Sequence, residues 1–374
     1  MATARKKPRS SYSSWGDWAD LPDNLLHSIV SHLVSFPDLL SFASVCRSWR
    51  GLSLSTPTSI LRPPLLLSSR RRIYPRRRDD TPSRCPILDP AFPSATYFSS
   101  ASARTLSRLP FIGYSYGHAI FYLPSIRCIL LADAITGDEV RTPHFPGHSI
   151  PRTYYALLTA PLSSPSSDLI LLSFGLELFQ WRKGGERWIR HDLGFNLPEV
   201  NHAVVFKGRI FTLDSSERLF IIQLAPVVLV RQMEVKWIGE QVSPFSFKQW
   251  LVECGGELLL VRIVPTEAIM CMSVEVFRLD LSDEQMKWVK VENLGDWALF
   301  LVANKRCPGF ACKNPGRWGG RGNCIYYARS GDDTWNVVEL GSSEIDTTVP
   351  DSPTLNSDPL KWPSPVWIYP AMFS

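Results

Sequence analysis

The chain has 374 residues, 45% hydrophobic, 11% aromatic and 20% charged, with 30 prolines and 13 tryptophans. That composition is globular and long enough for two or three domains, and so many prolines exclude a long helical bundle, because proline ends helices. The formal charge of +5 is uneven: residues 1–84 hold 14 basic against 6 acidic side chains and the remainder 26 against 29, so the large C-terminal part is not expected to grip nucleic acid through phosphates.

Residues 1–17 are polar, basic and Ser-rich, and a disordered tail is expected there. Residues 18–57 have helical periodicity. Leu25, Leu26, Ile29, Val30 and Leu33 fall on one helix face, and Pro22 suits a first helical turn. "SFPD" breaks the pattern, with Asp38 as the expected N-cap. A second helix is expected to follow, carrying Leu39, Phe42, Cys46 and Trp49 on one side. Two such short helices cannot bury all their apolar surface, so a partner is expected to cover the rest.

Residues 58–85 contain six arginines in nine positions, Arg70–Arg72 and Arg76–Arg78, among Pro and Ser. This reads as an exposed linker; an import signal or a nucleic-acid patch stays open as an alternative. From residue 86 onward the pattern changes to short strands with Gly, Asp and Ser turns. "HAVVFKGRIFTLD" and "WLVECGGELLLVRI" are hairpin patterns, turning at Lys207-Gly208 and Gly255-Gly256.

Trp188, Trp237, Trp288 and Trp335 each open a short strand-like segment, at spacings of 49, 51 and 47, and Val140 takes the matching place 48 residues before Trp188. A period of about 50 with several strands per unit predicts a kelch-like β-propeller. About six blades are expected over residues 86–374, with the C-terminal "PVWIYP" completing an N-terminal blade so that no edge strand stays open. The repeated tryptophans are expected to fill blade-to-blade contacts.

Candidate chemistry is sparse. "GYSYG" matches the nucleophile motif G-x-S-x-G around Ser115, but no strand–helix elbow surrounds it, and a strand end is expected instead. Cys307, Cys312 and Cys324 have spacings that fit no common zinc pattern. Their segment, "CPGFACKNPGRWGGRGNC", reads as a long exposed loop and a suspect for binding. His144 and His148 are four apart, but "HFPGH" cannot be helical. No cofactor, metal or catalytic group is expected. The eight dispersed cysteines lack any C-x-x-C pair and no secretory h-region follows the basic start, so reduced thiols in the nucleus or cytoplasm are expected. The longest apolar run, Leu219–Val230, is interrupted by Gln223 and Pro226 and is too short to span a membrane.

Residues 18–57 resemble an F-box. The pattern is Leu21-Pro22, an apolar helix from Leu25 to Leu33, a break, and a helix ending in Val45-Cys46-Arg47-Ser48-Trp49-Arg50. The resemblance implies docking on a SKP-type adaptor, and through it a cullin–RING ubiquitin ligase. The adaptor-facing residues it implies are Leu21, Pro22, Leu25, Leu26, Ile29, Leu33, Leu39, Val45, Cys46 and Trp49. "ITGDEVRTP" (Ile135–Pro143), "VVFKGRIFTLDSSERLFII" (Val204–Ile222), "WLVECGGELLLV" (Trp250–Val261) and "GNCIYYA" (Gly322–Ala328) are similar to the KIB-like propeller that follows plant F-boxes. Together these imply a non-catalytic substrate-recognition subunit whose propeller binds an unknown protein target. A propeller regulator that acts without ligase activity is the alternative.

Overall fold

The computed structural model describes residues 18, 21–55, 62–68, 84–102, 109–147, 154–173, 175–241, 246, 248–265, 272–282, 285–328, 335–341 and 365–370. The expected tail 1–17 and the Arg70–Arg78 run lie outside the described residues. The chain divides into two units, Met1–Thr58 and Ser59–Ser374.

The first unit has three helices: α1 (Asp23–His32), α2 (Phe36–Val45) and α3 (Arg47–Ser55). Pro22 lies one position before α1, and its carbonyl accepts the amides of Leu25 and Leu26. The cap of α2 differs from the expectation. Ser35 is the N-cap, and its Oγ accepts the Asp38 amide at 3.2 Å and donates to the Asp38 carboxylate at 2.6 Å. Asp38 therefore sits in the first turn, where a negative charge meets the positive helix end, and the break falls at Leu33–Ser35.

The expected second helix is in fact two. Cys46 is extended (φ −158, ψ 177), and its carbonyl accepts the Arg50 amide to begin α3. The turn brings Trp49 back onto Phe42, with ring centroids 4.5 Å apart. Leu26, Val30, Leu39, Phe42, Trp49 and Leu52 are buried together as the small core.

The second unit is a six-bladed β-propeller. Blade 1 is Leu65–Leu67, Arg84–Asp89 and Phe92–Ser102 with Val366–Ile368; blade 2 is Phe111–Ser115, His118–Leu123, Cys128–Asp133 and Glu139–Arg141. Blade 3 is Tyr154–Leu158, Asp168–Ser173, Gly175–Arg182 and Ile189–Leu197; blade 4 is Val200–Phe206, Arg209–Asp214, Leu219–Gln223 and Leu229–Met233. Blade 5 is Lys248–Cys254, Glu257–Pro265, Met272–Asp280 and Lys287–Val291; blade 6 is Trp297–Val302, Phe310–Lys313, Cys324–Ala328 and Trp335–Glu339.

The ring closes as expected from "PVWIYP". Val366–Ile368 pairs antiparallel with Leu65–Leu67, with Leu66 opposite Trp367. One assignment is corrected here. Leu65–Leu67 lies within the segment 58–85 read as linker, yet it is a fully buried strand of blade 1. Its three consecutive leucines are covered on both faces, so they carry no alternation to mark them against the neighbouring arginines.

The apolar core runs between blades rather than through one centre. One cluster joins blades 2 and 3, and others join 3 to 4, 4 to 5 and 5 to 6. The repeated tryptophans serve these seams. Trp188 packs on Phe145 at 5.2 Å, and Trp335 meets Trp367 across the closure at 5.5 Å. Trp237 departs from the repeat. Its strand, Lys236–Ile238, leaves blade 4 and pairs parallel with Lys287–Val291 on the outer edge of blade 5, placing Trp237 opposite Trp288. The buried Arg262 guanidinium lies 5.3 Å from the Trp237 ring and bonds Glu275 and Glu217, tying a turn of blade 4 to blade 5.

"GYSYG" has a structural explanation. A Cβ on Gly113 would lie 2.0 Å from the Ala156 carbonyl oxygen, so only glycine lets blade 2 approach blade 3 there. Ser115 ends its strand, and its Oγ donates to the Leu158 carbonyl at 3.4 Å. Gly117 (φ 77) and Tyr116 (φ 45) form the tight turn that follows.

Trp367 is completely buried, and its Nε1 donates to the Leu301 carbonyl at 3.0 Å. Replacing it by alanine empties a large core site and weakens the closure together. Trp367→Ala is expected to cost the propeller about 3–5 kcal/mol, read as a loss of several degrees in Tm by calorimetry.

Candidate functional site

Two surfaces can meet partners, one on each unit. On the helical unit the ten sequence-chosen residues divide. Leu26, Leu39 and Trp49 are interior, with 0%, 1% and 9% of their surface exposed. Trp49 also donates its Nε1 to the Trp18 carbonyl at 3.2 Å. Leu21, Ile29, Leu33 and Cys46 are half-buried, and Pro22, Leu25 and Val45 are exposed. Leu40, which the periodicity did not single out, is exposed as well. The short helices thus hide one apolar set and present another.

On the propeller, the crossover of blade 6 shapes the axis. Trp297–Val302 and Cys324–Ala328 are parallel neighbours, and parallel strands need a long return connection. The return segment, 303–323, contains most of "CPGFACKNPGRWGGRGNC". The expected exposed loop is so only in part: Lys313, Asn314, Gly316, Arg317, Gly319 and Arg321 are exposed. Cys307, Cys312 and Cys324 are buried, and Trp318 packs on Phe300 and Tyr326. Burial pushes the Cys312 thiol up to about 12 and Cys307 well above its usual range, so both are neutral thiols in the folded chain. Among the described residues no group of three or more His, Cys, Asp or Glu is arranged to hold a metal ion. Nor is any described helix long and apolar enough to cross a membrane.

The first part of the crossover enters the propeller axis. The Arg306 carbonyl accepts the Tyr114 amide of blade 2 at 3.2 Å, and Arg306 Nε donates to the Tyr154 carbonyl of blade 3 at 3.3 Å. The Cys307 carbonyl accepts from His202 Nε2 of blade 4 at 3.1 Å. A Cβ on Gly309 would meet Val252 of blade 5 at 2.6 Å. The segment therefore plugs the channel with main-chain groups.

Below the plug is a cup of about 250 Å³. Its walls come from all six blades, including Tyr114 and Tyr116, Tyr155 and Leu157, Val204 and Val205, Glu253, Pro308 and Phe310, and Tyr369. The tyrosine hydroxyls are largely committed. Tyr114 donates to the Tyr369 carbonyl, Tyr155 to Ala203 and Tyr369 to Arg62, at 3.1, 3.3 and 2.7 Å. Burial raises all three tyrosine pKa values, so they stay neutral. Glu253 is the one charged residue of the lining among the described residues and is exposed. Burial raises the Tyr116 pKa, and the Glu253 carboxylate adds to it.

Sequence reading missed this cup. Its residues are scattered from position 114 to 369 and share only their place near one end of the innermost strands. The available signal was nearness to turns: Tyr116 lies in one tight turn, and Glu253 is the second residue before the Gly255-Gly256 turn.

With both surfaces described, the comparisons place the chain. The KIB1-4 beta-propeller model matches residues 92–351. This chain belongs to that family. An F-box-like model matches residues 18–58, which hold the three helices. An F-box/kelch-repeat protein of Arabidopsis thaliana is 26% identical over 318 residues, covering 80% of this chain and 78% of the relative. An F-box protein of the same plant is 23% identical over 328 residues, covering 78% of this chain and 89% of the relative. Among solved structures, Myxococcus xanthus glutaminyl cyclase covers 50% of this chain and is itself covered to 72%, at 15% identity and a TM-score of 0.27. The chain is thus a plant-type F-box protein with a propeller, and F-box modules in general engage Skp1-type adaptors.

His202 locks the plug and is sensitive to acid. Its Nδ1 accepts the Leu251 amide at 3.2 Å, so the proton sits on Nε2 and goes to Cys307. Burial lowers its pKa to about 4, against about 6.5 in an unfolded chain. Between those values the unfolded chain binds a proton that the folded one refuses. Stability from this group is complete above about 6.5 and falls as pH drops toward 4, by on the order of 3 kcal/mol in all. His202→Gln is expected to lower Tm at pH 7.5 and to flatten the pH dependence of Tm between 6.5 and 4.5, followed by thermal unfolding.

Proposed function

We propose that this chain is the substrate-recognition subunit of a SKP–cullin–F-box ubiquitin ligase, acting in the nucleus or cytoplasm. The observation that carries the reading is the F-box-like match over helices that leave Pro22, Leu25, Leu40 and Val45 exposed. An apolar helix surface of this kind docks into a groove on a partner. The propeller supplies a second, chemically separate surface, the cup, for a protein target. The subunit performs no bond chemistry in this reading. It holds target and ligase together, and proximity alone raises effective concentration.

Exposure divides the ten residues in this reading. Pro22, Leu25 and Val45, with half-buried Ile29, are assigned to contact. Leu26, Leu39 and Trp49 are assigned to holding the helices in place, because their surface is already spent on one another. The two groups separate in experiment. Leu25→Asp with Val45→Asp is expected to reduce capture of a Skp1-type adaptor at least tenfold with Tm unchanged. Trp49→Ala is expected to reduce capture through loss of helical structure, seen by circular dichroism. Capture of the adaptor by the double variant at wild-type level would overturn the docking assignment, and absence of cullin from the purified wild-type complex would overturn the ligase role.

A further inference from the structure

The cup narrows the kind of target segment the propeller accepts. Its volume, about 250 Å³, exceeds the roughly 150 Å³ that holds a benzene molecule and falls below the roughly 300–1,000 Å³ of drug-sized sites. One large side chain fills it. The walls contributed by Leu157, Val204, Val205, Phe310 and the Tyr155 ring are apolar, and the buried tyrosine hydroxyls are bonded to carbonyls. A polar side chain entering the depth would lose its water without finding free partners, which disfavours it.

The exposed part carries the opposite signal. Among the described residues Glu253 is the single charge of the lining, its Oε1 accepts a 3.2 Å bond from the Gly256 amide, and no ion pair engages it. A cation beside it pairs with the carboxylate, and charge-assisted bonds of this kind are the strong ones.

We infer that the cup seats a large apolar or aromatic side chain of an extended target segment while an adjacent lysine or arginine of that segment pairs with Glu253. This rests on the reading that the propeller receives the target, and it adds the chemical class of the recognised sequence. Apolar filling of the depth and cation pairing at the exposed edge then act as two keys, and neither alone is sufficient.

The test uses the full chain and four short labelled peptides: acetyl-Gly-Phe-Arg-Gly-amide, and its Phe-Lys, Phe-Glu and Ala-Arg counterparts. Binding is followed by fluorescence anisotropy. The Phe-Arg and Phe-Lys peptides are expected to bind at least tenfold tighter than Phe-Glu and Ala-Arg, with weakening as NaCl rises from 50 to 500 mM. Their ratio tells whether planar arginine or compact lysine is the better cation. Glu253→Lys, a change at an exposed site, is expected to reverse the preference toward Phe-Glu. Equal binding of all four peptides, no binding of either cationic Phe peptide, or an unreversed preference in Glu253→Lys would overturn the inference. Adaptor capture by the same Glu253→Lys preparation tests the helical half independently, so failure at the cup is distinguishable from failure of the ligase reading.

Discussion

The fold depends on one short pairing, Val366–Ile368 against Leu65–Leu67. A propeller buries its apolar faces only between neighbouring blades, so each blade is stable while both of its neighbours are present. Blade 1 draws its innermost strand from the far end of the chain. The pairing therefore sets loop-closure entropy over nearly the whole sequence against three residues of strand. Side chains supply what three ladder rungs cannot. Trp367 reaches the Leu301 carbonyl of blade 6, and Tyr369 bonds Arg62 ahead of blade 1. The closure is thus a buried seam and not a bare strand edge.

The channel follows from a second constraint, the parallel pair inside blade 6. An all-antiparallel blade would have turned tightly and left the axis open. The parallel step forces the chain to travel back, and residues 304–309 use the axis to do so. Their carbonyls and amides would be stranded there without partners. The Tyr114 amide and His202 Nε2 meet two of the carbonyls, and the Arg306 side chain donates to the Tyr154 carbonyl, so three different blades hold the segment. A neutral imidazole suits the place because it both accepts the Leu251 amide and donates to Cys307, from ring nitrogens on opposite sides of one rigid plane.

Much of this was legible in the sequence, and the failures have physical causes. The tryptophan period showed because interblade seams repeat, and the hairpins showed because Lys207-Gly208 and Gly255-Gly256 need positive φ. The helices were legible as amphipathic segments. The break at Cys46 was not, because Phe42, Cys46 and Trp49 keep helical spacing across it. Leu65–Leu67 was hidden because a strand buried on both faces has no alternation. The departure of Lys236–Ile238 to blade 5 was equally silent, since Trp237 holds the repeat position whichever blade its strand joins. The cup left only a weak trace, since its residues are scattered from position 114 to 369 and come together only in the closed ring.

The polar groups of the axis explain where selectivity can reside. Above the cup, His202, Arg306 and the backbone of the plug are committed to each other, so changes there alter the ring before they alter binding. Within the cup, the bonded tyrosines offer rings and little free polarity. The remaining freedom lies at exposed positions such as Glu253, next to the end of its strand and outside the clusters that join blades 2 to 6. An exposed side chain there can change sign or size at little cost to the folded state, because no packed neighbour has to move. If the cup receives the target as proposed, substitution at a few such positions would change which segment fits, while the seams, the closure and the plug stay as they are.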